Sequence, residues 1–271
     1  MTMRPRQVGR RQFLVNLGKG AVGLAVFGFA ACADDARDAT TRAPTTTSTT
    51  GATSTTAGPG TTESPGTTVP GSLATVQRVD LGFVSAYIVA REGAAAVIDT
   101  GTSGSQADIE SGLGVLGLGW PSVGHVIFTH HHGDHIGSAG AVLSRAAAAQ
   151  AYAGADDIPR LGQVGPVNAV GDGDRVFGLD MVATPGHTPG HISVLDPVAR
   201  FLIAGDALNG QPDGGGVLGP NPGFTADMGV AIQSARKLAM LDYDDAYFGH
   251  GEPLLGGASA AVAALAETLE A

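Results

Sequence analysis

The sequence predicts a layered α/β body over residues 74–271, and two observations carry that expectation. Strand-like and helix-like runs alternate along the chain, and the pattern occurs twice, in two strand-then-helix halves of about 100 residues each. Together the halves are long enough to bury one sizeable core. In order, Val76–Leu81, Ala86–Ala90 and Ala94–Asp99 are short β-leaning runs separated by Gly or charge, which predicts successive antiparallel strands. Gln106–Leu118 reads as a helix weakened by Gly112, Gly114 and Gly117. His125–Thr129 has the apolar character of a buried strand, and the alanine-rich Ser138–Gln150 reads as a helix. Val176–Ala183, Ile192–Leu195 and Phe201–Ala204 read as strands. Ala226–Leu241 carries apolar residues at helical spacing, Ala246–Gly249 is a short strand, and Ala258–Leu269 is a closing helix.

Composition excludes some functions. The chain of 271 residues carries 15 Lys+Arg against 25 Asp+Glu, a formal charge of −10. Seven of the cations and four of the anions precede residue 72, so residues 72–271 hold 8 basic and 21 acidic side chains, a net of −13. A body that acidic, without a cationic cluster, is a poor match for a phosphate backbone, so nucleic acid is not an expected partner and a small molecule is. The single cysteine excludes an intrachain disulfide framework and any Cys-based zinc cluster.

The first 73 residues read as an address and a tether. Residues 1–20 are basic and contain Gly9-Arg10-Arg11-Gln12-Phe13-Leu14; Ala21–Ala31 is an uncharged apolar run too short to span a bilayer comfortably. The paired arginines resemble a twin-arginine (Tat) export signal. Phe29-Ala30-Ala31-Cys32 resembles a lipobox, with Phe29 where Leu is commoner, which implies lipidation at Cys32. An uncleaved anchor helix is the alternative. The expectation for residues 1–32 is an export signal leading to a cell-envelope lipoprotein, or otherwise a secreted or periplasmic protein, with membrane contact only through the N-terminal lipid. Between Thr40 and Gly71 stand 14 Thr, 3 Ser, 4 Pro and 5 Gly in 32 residues, which cannot bury enough apolar surface to offset ordering entropy. Residues 33–73 are therefore expected to be a disordered stalk.

The histidines carry the functional reading. The strand His125–Thr129 runs into His130-His131-His132-Gly133-Asp134-His135. In extended backbone alternate residues point the same way, which puts His130 and His132 on one side and His131 on the other. Gly133 then permits a sharp turn before Asp134 and His135. Four potential ligands within six residues at a strand end form a metal pattern, and imidazole with carboxylate suits zinc when thiolate is absent.

His130-x-His132-x-Asp134-His135 resembles the signature of the metallo-β-lactamase-fold superfamily. Three further segments are similar to the family's later motifs, in family order: Thr184-Pro185-Gly186-His187-Thr188-Pro189-Gly190-His191, Ala204-Gly205-Asp206, and Phe248-Gly249-His250-Gly251. The resemblance covers residues 74–271 and implies an αββα sandwich with its site at the sheet edge. It implies two divalent ions, Zn2+ with Fe or Mn as alternatives: His130, His132 and His187 hold the first, Asp134, His135 and His250 the second, and Asp206 is shared. It further implies that Asp99 supports the metal histidines by hydrogen bonding. His191 is expected to be an outer hydrogen-bond partner, His125 to be structural, and His131 to cap or solvate. Two such ions hold a hydroxide between them at neutral pH, a nucleophile for acyl hydrolysis, and Asp134 is placed to orient it and handle its proton.

The same resemblance sorts substrates. True β-lactamases use Cys or Ser at the position of Asp206. Glyoxalase II enzymes carry a helical substrate domain after the final histidine, where only 21 residues follow His250. What remains resembles compact lactonase and esterase-like members acting on a small ester, lactone or thioester. The alternatives are an iron-dependent persulfide dioxygenase-like enzyme, a β-lactam hydrolase, and a non-catalytic binding lipoprotein. Leu208–Gly229, rich in Gly, Pro and Asn, is the expected substrate loop, with Phe224 or Met228 in the pocket lining. Physiological substrate and oligomeric state stay open.

Overall fold

The computed structural model describes residues 73–270, so the expected export signal, Cys32 and nearly all of the expected stalk lie outside the described residues. Strands β1 (Thr75–Asp80), β2 (Ser85–Arg91) and β3 (Ala94–Ile98) pair antiparallel, as the sequence predicts. β4 (Val123–Phe128), β5 (Gln150–Gly154) and β6 (Val167–Val170) then join in parallel, giving a six-stranded sheet in chain order. A second sheet contains β7 (Arg175–Val176), β8 (Leu179–Ala183), β9 (Ile192–Asp196) and β10 (Phe201–Ile203). A two-stranded ribbon, β11 (Asn209–Gly210) and β12 (Val217–Leu218), follows, and β13 (Asp245–Tyr247) completes the second sheet in the order β13-β10-β9-β8-β7. The helices are α1 (Gln106–Val115), α2 (Gly133–Ile136), α3 (Ala139–Arg145), α4 (Met228–Leu238) and α5 (Ala258–Thr268).

Three buried clusters define the layering. Side-chain alternation sends Tyr87, Val89, Ala96, Ile98 and Ile127 from the first sheet against Leu179, Met181, Val194 and Ile203 of the second, filling the space between the sheets. The opposite face of the first sheet, with Ile88, Val97 and Val126, packs on Ile109 and Leu113 of α1 and Val142 of α3. The outer face of the second sheet, with Leu195, Leu202 and Ala246, packs on Ala235 and Leu238 of α4 and Val262 of α5. The result is the αββα sandwich. In α1 the interior glycines Gly112 and Gly114 cost roughly 1 kcal/mol each. Full burial of Ile109 and Leu113 contributes roughly 1.5–3 kcal/mol each, so packing, not propensity, holds this helix. α4 is better specified locally: the Asp227 carboxylate accepts the Val230 N–H at its start, and Arg236 and Lys237 stand in its last turn.

Several elements depart from the sequence reading. The helix expected over Ser138–Gln150 ends at Arg145, and Gln150 opens β5, which is paired on both sides by β4 and β6. An alanine run carries no periodic signal, so tertiary pairing overrides its helical propensity there. The strand expected over Val176–Ala183 is a hairpin split at Phe177 (φ 55°) and Gly178 (φ 74°), two successive left-handed residues that turn the chain in two positions. His125 lies inside β4, not at its start, packed against the rings of Tyr152 and Phe177. Gly133 opens α2 without a positive φ, so the turn there does not use glycine's freedom.

Candidate metal centre

All seven expected ligands come together where the strands of both sheets end. His130 and His132 follow β4, Asp134 and His135 lie on α2, His187 follows β8, Asp206 follows β10, and His250 follows β13. His132 Nδ1 stands 3.1 Å from His130 Nε2 and 2.9 Å from His187 Nε2. On the other side, His250 Nε2 and His135 Nε2 stand 3.4 and 3.8 Å from Asp134 Oδ2. Asp206 lies between the groups: its Oδ2 is 3.4 Å from His187 Nε2 and 3.2 Å from His250 Nε2, and its Oδ1 is 3.3 Å from His135 Nε2. His130–His132–His187 and Asp134–His135–His250 each bring three ligand atoms within 4.8 Å of one another.

The surrounding hydrogen bonds say which nitrogen of each ring is free. Thr129 Oγ1 donates to Asp99 Oδ2 (2.7 Å), so its lone pair accepts from His130 Nδ1 (3.0 Å) and leaves His130 Nε2 bare. His135 Nδ1 donates to Asp99 Oδ2 (2.8 Å), and His250 Nδ1 donates to the Phe83 carbonyl (2.6 Å). His187 Nδ1 lies 3.4 Å from Thr225 Oγ1. In all four rings Nε2 is the nitrogen left facing the centre, which is the arrangement outer partners impose on metal-ligating histidines. His135 Nε2 and Asp206 Oδ1 are fully buried with no hydrogen-bond partner. Orphaned buried groups of this kind cost about 1–3 kcal/mol each unless a cation satisfies them. The all-nitrogen-and-oxygen donor set fits zinc, iron or manganese.

Asp99 stands at the end of β3 with φ 58°, a left-handed conformation that a non-glycine residue adopts only under constraint. Its buried carboxylate accepts from the Thr129 N–H (2.8 Å) and hydroxyl as well as from His135. His191 accepts the Asp206 N–H at Nε2 (3.0 Å), so its Nδ1 donates to Thr184 Oγ1 (2.8 Å), which passes its own proton to Ser193 Oγ (3.0 Å), and that hydroxyl ends on the Ala204 carbonyl (2.9 Å). Asp99 and His191 thus hydrogen-bond to two of the candidate ligands, His135 and Asp206. His131 turns away from the centre, and its N–H donates to Asp157 Oδ2 (3.1 Å).

Sequence reasoning missed Asp157 and Tyr87. Fully buried, Asp157 also accepts from Thr188 Oγ1 (2.6 Å) and the Gly190 N–H (2.8 Å), tying the His130–His132 loop to the His187–His191 loop. Tyr87 Oη donates to the Phe248 carbonyl (2.6 Å) and accepts its N–H (3.2 Å), fixing the strand end that carries His250 across the two sheets. Nothing local marks either residue; only the tertiary fold reveals their partners. Thr129 did carry a signal of position, as the last residue of the expected strand and the one before His130.

Two glycines are needed for the backbone to come this close. Gly205 (φ 56°) lies where a side-chain carbon would sit 2.7 Å from His191 Nε2. At Gly249 that carbon would sit 2.0 Å from Asp206 Oδ1 and 2.7 Å from His135 Cε1. Gly249→Ala is therefore expected to displace Asp206, costing about 1–3 kcal/mol as overpacking does and lowering bound metal while the circular dichroism spectrum keeps its native shape.

The charges gathered at the centre oppose one another. Burial first, with help from neighbouring imidazoles, pushes His130 well below its usual range. Burial likewise takes His187 down to about 4 and His191 to about 3. Burial also works against charge on His135, but Asp206, Asp99 and Asp134 together outweigh it and raise this ring to about 9. The Asp206 carboxyl is opposed by its own burial yet held well below the carboxylate range by His135, His250 and His187. Below the ordinary histidine value of 6.5 the unfolded chain takes up protons that folded His187 and His191 refuse, so stability falls as pH drops through about 4. His135 has the opposite sign: its contribution is full below 6.5 and is lost as pH rises through about 9. Calorimetry in chelator is expected to find the highest Tm near pH 6.5; a Tm still climbing through pH 9 contradicts this balance.

An αββα sandwich with a histidine–aspartate centre at its strand ends defines a class, the metallo-hydrolases. Comparison with known proteins agrees. The Metallo-beta-lactamase superfamily profile matches residues 79–250, and the chain belongs to that superfamily. It is 31% identical over 199 residues to the uncharacterized protein YobT of Bacillus subtilis (strain 168), covering 62% of this chain and 83% of that one. It is 32% identical over 147 residues to a hydroxyacylglutathione hydrolase of Rhizobium meliloti (strain 1021), covering 49% of each, so the match spans about half of that relative. Among solved structures, metallo-beta-lactamase family protein TTHA1429 from Thermus thermophilus superposes with a TM-score of 0.57 at 23% identity, over 72% of this chain and 77% of that one. TTHA1623, crystallised in a di-iron-bound form, gives 0.55 at 24% identity over 71% and 97%. At these identities the structures show the fold alone.

Proposed function

We propose that the chain is a dinuclear metal-dependent hydrolase of a small ester, lactone or thioester. The observation that carries this reading is the convergence of His130, His187, His135 and His250 Nε2, from two separate groups of candidate ligands, to within 4.0 Å of the Asp206 carboxylate. His130, His132 and His187 would hold one cation, Asp134, His135 and His250 the other, with Asp206 shared. When bound, such a pair supplies water with a pKa lowered toward about 7 and an electrophile for a carbonyl oxygen. Asp134, about 29% exposed at its side chain and with Oδ2 3.4 Å from His250 Nε2, would orient the attacking water and take its proton. Water adds to the acyl carbon, the bond to the leaving oxygen or sulfur breaks, and the proton held at Asp134 goes to that leaving group.

Zinc is the proposed metal; the di-iron form of TTHA1623 makes iron the alternative. Asp206, where true β-lactamases use Cys or Ser, supports ester, lactone or thioester hydrolysis over β-lactam cleavage. Relatives named hydroxyacylglutathione hydrolase support a thioester as one substrate type. Residues 1–32 support export with a lipid at Cys32. Elemental analysis of the purified chain with lactone, thioester and β-lactam hydrolysis assays tests the reading. Two equivalents of metal and chelator-sensitive turnover of esters or lactones are expected. Oxygen consumption at one iron per chain, or two bound metals with no turnover on any substrate, would overturn it.

A further inference from the structure

A cleft of about 420 Å³ opens beside the centre, lined by Asn209, Pro212, Leu218, Pro220 and Pro222 together with His250. The expected loop therefore does form a wall, but Phe224 and Met228 are not part of the lining: Met228 opens α4, and Phe224 stands two residues beyond Pro222, 72% exposed. Thr225, next to it, reaches His187, and the Ala226 N–H donates to the His187 carbonyl (3.2 Å). From the other side, Phe83 in the β1–β2 turn is 63% exposed and stacks on the His250 ring with centroids 6.1 Å apart. Phe83 thus covers a candidate ligand ring from one loop, the exposed Phe224 adjoins Thr225 on another, and Leu218, 43% exposed, stands in the cleft itself.

Charge narrows the choice further. Among the described residues no Lys or Arg lines the cleft. Arg78 reaches the Gly251 carbonyl at 3.4 Å, but its guanidinium is already committed to Glu252 at 2.7 Å. A substrate bearing carboxylates away from its scissile bond, such as a glutathione thioester, would lose hydration there without gaining a cationic partner.

Resting on the hydrolase reading above, we infer that this site selects neutral substrates with an apolar tail, seated against Phe83, Leu218 and the proline-lined wall. The test uses the metal-loaded full chain in two arms. In the first, kcat/KM for neutral p-nitrophenyl esters is expected to rise by up to about fourfold per added methylene between two and six carbons, the fold-change of about 0.8 kcal/mol per buried CH2. Phe83→Ala and Leu218→Ala are expected to flatten that slope, and S-lactoylglutathione to be the poorer substrate by at least tenfold. In the second, calorimetry is expected to show neutral hexanamide to decanamide binding with rising affinity and S-methylglutathione not binding. Binding of the amide series without turnover of any ester, lactone or thioester would sustain the inference while ending the hydrolase reading. A flat chain-length dependence in both arms, or preference for the glutathione compounds, overturns the inference and leaves that reading intact.

Discussion

Asp206→Ala is expected to reduce bound metal from two equivalents to one or fewer and to lower kcat/KM by more than about 100-fold, the upper range for losing even an outer partner of a metal ligand. The carboxylate is the one group whose oxygens approach His135, His187 and His250 together, so its removal disconnects the two halves of the centre. The backbone N–H at position 206 remains bound to His191 in the variant, and Gly205 keeps its turn, so the strand end should survive. Asp206→Asn preserves the shape and removes the charge; it is expected to fail in the same way. Plasma mass spectrometry alongside kinetics reads both quantities. Two equivalents retained in either variant would mean that Asp206 is not a shared ligand.

The second large effect is expected at Asp99. Replacing it with alanine strips an acceptor from the Thr129 N–H, the Thr129 hydroxyl and His135 Nδ1, all buried. Each unsatisfied buried donor costs about 1–3 kcal/mol. A total near 3 kcal/mol, after relaxation, corresponds to a Tm lowered by roughly 6–12 °C for a body of this size. Metal affinity is expected to fall about 10–100-fold, because neither His135 nor, through Thr129, His130 is then held in the tautomer that frees Nε2. Asp99→Gly removes the same bonds but relieves the backbone at φ 58°. It should therefore recover part of the Tm and none of the metal affinity, a separation that a purely structural role would not produce.

Much of this was legible in the sequence because metal ligation is written in residue type and spacing. The cluster from His130 to His135 could be read from residue type and spacing, and the resemblance of three later motifs to the superfamily supplied His187, Asp206 and His250. Strands bounded by Gly or charge were equally readable in β1, β2 and β3. The signal failed where chemistry was absent, as in the alanine run before β5, and where a turn rested on backbone conformation alone, as at Phe177-Gly178. It also failed for residues whose meaning is a distant partner: Asp157 is an ordinary loop aspartate until Thr188 and Gly190 are packed against it. Phe83 was invisible for the same reason, since the ring it covers is 167 residues away.

The most direct measurement is anomalous diffraction from crystals of the metal-loaded chain. Two peaks about 3.5–4 Å apart, one against His130, His132 and His187, the other against Asp134, His135 and His250, with the Asp206 carboxylate touching both, are the expected result. A single peak, or any peak outside these seven side chains with the centre empty, would contradict the paired centre.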